Sequence, residues 1–134
     1  MMRRIVVDTN VMASALLFGG NPREVLLQAI RGEIGLGMSP AMLYELQGVL
    51  SRKKFGLAEQ LVETVMNEVT GLSDMVFPRR SVSVIERDPD DNMVLECALE
   101  YRAQAIISGD EHLLALAAFE NIPILTPAQY LETK

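Results

Sequence analysis

The sequence contains a single cysteine, Cys97, and no apolar run of about 18 residues. One cysteine can form no internal disulfide, and Cys97 lies within an apolar helical pattern where a small buried side chain is expected. The missing apolar run excludes a membrane-spanning helix, and the N-terminus passes from charged residues directly into a strand pattern without the apolar segment of a signal peptide. We therefore expect a cytoplasmic protein without a membrane partner, in which Cys97 fills the core.

Histidine is equally scarce, because His112 is the only one in the sequence. A metal-independent ribonuclease with two acid–base groups would usually recruit histidine, and we expect His112 to lie on the surface of the helix that follows Asp110. The sequence also lacks a Gly-x-Ser-x-Gly elbow and a glycine-rich phosphate loop. These absences leave serine-hydrolase and nucleotide-binding functions without support.

The chain has 134 residues, of which 49% are hydrophobic, and a formal net charge of −6. This length suits one domain with one continuous core, so we expect residues 1–134 to form a single unit. The negative charge would ordinarily argue against a nucleic-acid partner. Metal ions could nevertheless neutralise clustered acids, and the basic clusters Arg52-Lys53-Lys54 and Arg79-Arg80 could supply a positive edge.

Short β-branched runs alternate with helical patterns along the whole chain. This alternation predicts an α/β fold with a central parallel sheet flanked by helices on both faces. Gly35 and Gly37 interrupt one strand pattern, and their missing side chains would let a backbone or a ligand approach closely. The predicted strands cover residues 5–7, 34–38, 105–107 and 122–125, and the predicted helices include residues 11–18, 58–72 and 111–118. A further short strand is possible within residues 75–85.

Four helix starts share one device, a capping residue followed by proline at the first helical position. These starts are Asn21-Pro22, Ser39-Pro40, Asp88-Pro89 and Thr126-Pro127.

Four acids, widely separated in the sequence, occupy positions from which they could meet. Asp8 and Asp110 end short buried strands, and Glu45 and Asp91 lie on helices at or beside the apolar stripe. Ligands of open α/β sheets bind beyond the carboxyl ends of the strands. Clustered carboxylates resist ionisation unless a cation joins them, and an all-oxygen ligand set suits Mg²⁺ or Mn²⁺.

Each of these acids also has a simpler structural interpretation. Asp8 could start a turn while Asn10 caps the next helix, and Asp91 could complete a capping box with Asp88. Asp110 could cap the helix that begins at Glu111, and Glu45 could be an ordinary solvated helix residue. Position alone leaves these alternatives open.

Four motifs together resemble the PIN-domain family, in particular its members assigned as toxins of bacterial and archaeal toxin–antitoxin systems. Each motif is weak alone, but their order along the chain is specific, and the similarity covers nearly the whole chain. The motifs are Val6-Val7-Asp8-Thr9-Asn10-Val11, Ser39 through Glu45-Leu46 to Phe55, Asp88-Pro89-Asp90-Asp91-Asn92 and Ser108-Gly109-Asp110.

The resemblance implies a ribonuclease dependent on Mg²⁺ or Mn²⁺ that hydrolyses RNA phosphodiester bonds. Asp8, Glu45, Asp91 and Asp110 match the four acids that serve the family as metal ligands and catalytic residues. By the same resemblance, the residues expected to support the acids or the substrate phosphate are Thr9, Asn10 and Ser108. Asp90 is an ambiguous neighbour of Asp91, since adjacent acids leave the ligand uncertain by one residue. A cognate antitoxin and a homodimer are implied in the same way.

Two alternatives remain. A phosphoacceptor domain or phosphatase also places acids at strand ends, but a phosphatase of this type needs a second aspartate where Asn10 stands. A receiver domain needs a lysine after its last strand, where this chain has Thr126-Pro127. The other alternative is a PIN-like module that retains the fold but acts only through protein contacts.

Overall fold

The computed structural model describes residues 2–85 and 91–133 of the chain. Strands and helices alternate through most of this range. In chain order the elements are β1 (Arg3–Val7), α1 (Thr9–Leu17), α2 (Gly20–Ile30), β2 (Ile34–Met38), α3 (Pro40–Leu50), a 3₁₀ turn (Lys53–Phe55), α4 (Glu59–Leu72), β3 (Asp74–Met75), α5 (Asp91–Tyr101), β4 (Ala105–Ile107), α6 (Glu111–Leu116), β5 (Ala118–Phe119), β6 (Ile122–Leu125) and α7 (Pro127–Glu132).

The strands form one sheet in the order β3-β2-β1-β4-β6-β5. All neighbouring pairs are parallel except β5 and β6, which are antiparallel. Ile5, Val6 and Val7 of β1 are all at most 2% exposed. Because successive strand residues point to opposite faces, their burial means that both faces of the sheet are covered. The predicted α/β fold, with a parallel sheet between helices, is confirmed.

Two of the predicted helix caps are confirmed and one is wrong. The Ser39 hydroxyl accepts a hydrogen bond from the Met42 amide at 3.2 Å, and Thr126 forms a reciprocal capping box with Gln129. Asn21 does not cap α2, because the helix already begins at Gly20. The reason is the preceding turn, where Gly19 has a φ of +90° and brings the chain directly into the helix. The predicted cap at Asp88 lies outside the described residues.

The end of α6 also differs from the prediction. The helix ends at Leu116 instead of continuing to residue 118, since Ala117 takes a positive φ of 60°. Ala118 and Phe119 then pair with β6 as a short antiparallel strand that the sequence pattern did not indicate. The uncertain region around residue 75 does contain a strand, the two-residue β3.

The glycines of β2 make room for an aromatic side chain of α5 and not for a backbone or a ligand. A Cβ atom on Gly37 would lie 2.5 Å from Cδ2 and 2.9 Å from Cγ of Tyr101, and one on Gly35 would contact the Tyr101 hydroxyl. That hydroxyl donates a hydrogen bond to Asp74. Burial, together with this bond, raises the pKa of Tyr101. The ring can therefore pack this closely against β2 only because Gly35 and Gly37 lack side chains.

In the described part of the chain, no helix has both the length and the apolar character needed to cross a bilayer.

Substitution of Gly37 by alanine should destabilise the protein by about 1–3 kcal/mol, because the new methyl group would overlap the Tyr101 ring near its attachment point. The matched control is Gly48→Ala in the interior of α3, where nothing lies within 4 Å of the added Cβ. That change should stabilise by about 0.5–1 kcal/mol. Urea denaturation would measure both, and equal stability of the two variants would contradict the packing described for Tyr101.

Cys97 should be inert in the folded protein. It is fully buried, and burial raises the pKa of its thiol to about 12. The reactive thiolate is therefore almost absent at pH 8. Iodoacetamide, followed by mass spectrometry, should label the protein slowly in buffer and rapidly in guanidinium chloride. Equal labelling rates in the two solutions would place Cys97 outside the core.

Candidate functional site

The strand order reverses between β1 and β4. From β1 the sheet continues to β2 and β3 on one side, and to β4 and β6 on the other. In open α/β sheets such a reversal opens a crevice at the carboxyl ends of the two strands, where ligands bind. Asp8 follows β1 directly, and Ser108 follows β4. The first candidate acid thus lies at the position that the topology favours for a ligand site.

Asp8 is 4% exposed, and both of its carboxylate oxygens accept hydrogen bonds. Oδ1 accepts from the Val11 amide at 2.8 Å, which makes Asp8 the N-cap of α1. Oδ2 accepts from the hydroxyl of Ser108, across the crevice. The expectation that Asn10 would cap this helix is wrong, because α1 begins at Thr9, two residues before the predicted start at Val11. Capping and a position in the crevice are therefore compatible properties of Asp8.

Burial raises the pKa of Asp8 above its ordinary value, since a charge is poorly solvated there. The hydrogen bonds from Ser108 and Val11 act in the opposite direction, and the nearby charge of Asp110 raises the pKa further. Asp8 and Asp110 are thus close enough to repel each other when both are ionised.

Ser108 connects these two acids. Its buried hydroxyl donates to Asp8 and accepts from the Asp110 amide at 3.0 Å. Asp110 in turn caps α6, because its Oδ1 accepts from the amides of His112 at 2.8 Å and Leu113 at 3.1 Å. The predicted capping role of Asp110 is confirmed, and Asp110 remains only half-buried.

Asp91, Asp110 and His112 form a group whose potential ligand atoms all lie within 4.8 Å of one another. The His112 Nδ1 atom is 3.7 Å from Asp110 Oδ1. Within the described residues, this group includes neither Asp8 nor Glu45. Sequence reasoning took His112 for a surface residue and missed this proximity. The available signal was the position of His112, two residues after Asp110 and in the first turn of the helix that Asp110 caps.

Asp91 begins α5, and its Oδ2 atom is buried. The next residue, Asn92, ties the start of α5 to residues 84 and 85. Its side-chain oxygen accepts hydrogen bonds from the amides of Val84 and Ile85, and its side-chain nitrogen donates one to the Ile85 carbonyl. This buried amide is a positioning residue that the sequence motif contained without an assigned role. Asp90, the ambiguous neighbour, lies outside the described residues.

The remaining predicted residues lie on α1 and α3. Glu45 is half-buried on α3, which packs against α1. Thr9 is buried at the start of α1, whereas Asn10 is exposed. A pocket of about 270 Å³ is lined by Asn10, Val11, Ser14, Gly109 and Asp110. It therefore joins the first turn of α1 to the loop after β4.

The basic cluster Arg79-Arg80 does not provide the positive edge considered from the sequence. The Arg79 guanidinium makes two hydrogen bonds to the Glu100 carboxylate, at 3.1 and 3.0 Å, and the Arg80 guanidinium pairs with Glu120 at 2.6 Å. Both guanidinium charges are thus locally neutralised.

Comparison with curated proteins yields no match to this chain. In the comparison with protein families, residues 4–112 match the family described as PIN domain. The matched range runs from β1 into α6 and contains the crevice, the Asp8–Ser108 bond and the group formed by Asp91, Asp110 and His112. Because the match covers most of its length, the chain belongs to the PIN domain family.

Proposed function

We propose that this protein is an endoribonuclease that hydrolyses RNA phosphodiester bonds and depends on Mg²⁺ or Mn²⁺. PIN domains are typically metal-dependent nucleases, and family membership implies a nucleic-acid substrate. The observation that carries the proposal is the convergence of Asp91, Asp110 and His112 within 4.8 Å, at the end of the crevice that Asp8 occupies. Two carboxylates held this close repel each other when both are ionised, and a bound cation would offset that repulsion.

The donor chemistry fits a divalent ion. Carboxylate oxygens are the preferred ligands of Mg²⁺ and Mn²⁺, and the imidazole of His112 adds a nitrogen that first-row transition metals accept more readily than Mg²⁺ does. Asp91 and Asp110 would hold the ion, with His112 beside them and with Asp8 and Glu45 as the further family positions. An ion bound there supplies an acidified water and positive charge for the phosphate oxygens.

The protein's own groups would fix the acids in place. Ser108 holds one oxygen of Asp8, and the Asp110 amide holds Ser108, so these residues cannot rotate independently. Thr9 and Asn10 begin α1, whose N-terminal end and exposed Asn10 side chain can face a phosphate. Asn10 and Gly109 line the pocket beside Asp110, which gives a phosphodiester a place next to the acids.

The toxin role, a cognate antitoxin, a homodimer and a cytoplasmic location belong to the same proposal, as does the treatment of residues 1–134 as one nuclease domain. They rest on the resemblance of the four motifs to the toxin branch of the family. An apolar groove of about 290 Å³ supports a protein partner. It lies between α1, α2 and α4 and is lined mainly by Leu16, Leu26, Ile30, Val65, Val69 and Leu72.

Replacement of Asp8 by asparagine should abolish RNA cleavage without unfolding the chain. Asparagine can still accept from the Val11 amide and contact Ser108, so the cap survives, but the negative charge is lost. Because even outer partners of metal ligands typically contribute about 10- to 100-fold, cleavage should fall by about 100-fold or more. A fluorescent RNA assay in Mn²⁺ would measure this loss.

The control for that substitution is Glu33→Gln. It removes the same charge from an exposed residue just before β2, at the opposite end of the sheet from Asp8. This variant should cleave RNA like the wild type. Cleavage that persists in Asp8→Asn, or in excess EDTA, would refute the proposed mechanism.

Mn²⁺ alone should raise the melting temperature of the wild type, because an ion that binds only the folded state stabilises it. At a concentration of 100 times Kd the gain is about 2.7 kcal/mol. Asp110→Asn should lose most of this gain, since asparagine removes the charge yet remains a good N-cap for α6.

Two results of the melting experiment would count against the proposal. A wild type unaffected by Mn²⁺ would favour the alternative of a PIN-like module that acts only through protein contacts. An equal Mn²⁺ response in Asp110→Asn would place the ion elsewhere. In EDTA, wild type and variant should melt within a few degrees of each other, because the cap is retained.

A further inference from the structure

An exposed aromatic ring lies at the opposite end of α1 from Asp8. Phe18 ends the helix and is 72% exposed. Its ring packs edge-on against Phe55, with 6.0 Å between centroids and an interplanar angle of 61°. The contact leaves the Phe18 ring supported from one side and open to solvent on the other. A supported, solvent-facing ring of this kind is suited to stacking against a flat ligand.

Three consecutive cations adjoin this ring pair. Arg52, Lys53 and Lys54 are all exposed, and the Lys54 ammonium lies 5.1 Å from the centroid of Phe55. Within residues 2–85 and 91–133, no ion pair joins any of the three to an acid. This distinguishes them from Arg79 and Arg80, whose charges are neutralised by glutamates. We call Phe18, Phe55 and the segment 52–54 the aromatic–basic surface.

We propose that the aromatic–basic surface binds single-stranded RNA, with a base stacked on Phe18 and backbone phosphates on Arg52, Lys53 and Lys54. An open ring beside cations that pair with no acid in the described part of the chain matches the two parts of a nucleotide, its planar base and its anionic phosphate. The net charge of the chain is −6, so a polyanion needs such a local positive cluster to approach. That the bound strand is also the substrate rests on the proposed function.

Helix α1 sets the distance between this surface and the acids. Asp8 caps its start and Phe18 its end, ten residues apart, which corresponds to about 15 Å along the helix axis. With a rise of about 3.4 Å per stacked nucleotide, this distance spans four or five nucleotides. An RNA strand of that length or longer could contact both places, whereas a dinucleotide could contact only one.

The binding test uses the full chain and a fluorescein-labelled 12-nucleotide oligouridylate, in EDTA, followed by fluorescence anisotropy at several salt concentrations. EDTA separates this test from cleavage, so its result stands even if the nuclease proposal fails. Phe18→Leu keeps an apolar side chain but removes the ring face, and it should weaken binding by about 5- to 100-fold. Phe18→Tyr should bind like the wild type.

The charge test uses the triple substitution Arg52→Gln, Lys53→Gln and Lys54→Gln. Loss of three phosphate contacts should reduce the steepness of the plot of log affinity against log salt by about 2. The control is the double substitution Arg79→Gln and Arg80→Gln, which should leave that steepness nearly unchanged.

Unchanged RNA affinity in both Phe18→Leu and the triple variant would overturn the proposal. The proposal also fails if these variants change self-association in sedimentation velocity but not RNA affinity, because the surface would then be a protein interface. If the pure protein cleaves RNA, Phe18→Leu should raise KM for the 12-nucleotide substrate and leave cleavage of a dinucleotide unaffected. A purely structural role for Phe18 would instead affect both substrates equally.

Discussion

The Ser108 hydroxyl is the group on which the arrangement of the crevice depends. It donates to Asp8 at the end of β1 and accepts from the amide of Asp110 beyond β4. Because β1 and β4 are the strands between which the sheet order reverses, one buried hydroxyl joins the two halves of the sheet where a ligand would enter. Asp8 cannot turn away from the crevice without losing this bond and its cap on α1. These hydrogen bonds hold Asp8 and Asp110 close together although their charges repel each other.

In this molecule the residues that cap the helices also form or position the candidate site. Asp8 caps α1, Asp110 caps α6 and Ser39 caps the helix that carries Glu45. Each cap follows a parallel strand, so the beginnings of these helices gather at one edge of the sheet. Helix N-termini carry partial positive charge, which favours carboxylates there and partly offsets the cost of their burial. An acid such as Asp8 can therefore be both a helix cap and a site residue.

Much of this arrangement was predictable from local pattern. The β-branched runs before Asp8 and Ser108 located two central strands, and Ser39-Pro40 and Thr126-Pro127 located two helix starts. Contacts between distant segments were not predictable in this way. Tyr101 lies across Gly35 and Gly37 because α5 packs against β1 and β2, and His112 lies near Asp91 because β4 pairs with β1 and brings the start of α6 towards α5. The predicted cap at Asn21 was wrong because α2 begins at Gly20, after a positive φ at Gly19 that no periodic pattern indicates. Strand β5 was not predicted because it depends on a positive φ at Ala117, which the sequence pattern does not indicate either.

The distribution of charge links the crevice to the rest of the surface. An acidic protein repels RNA at long range, and Asp8, Asp91 and Asp110 would add to this repulsion where a phosphodiester would react. For RNA to bind productively, a second part of the surface would have to attract it, at a fixed distance from the crevice and away from the negative charge of the acids. Helix α1 is a rigid spacer, since one end is fixed by Asp8 and its last carbonyls, those of Ala15 and Leu16, accept from Arg23. A strand held on the aromatic–basic surface would reach the crevice at a set number of nucleotides, so that the length of α1 itself would select where along the strand the acids act.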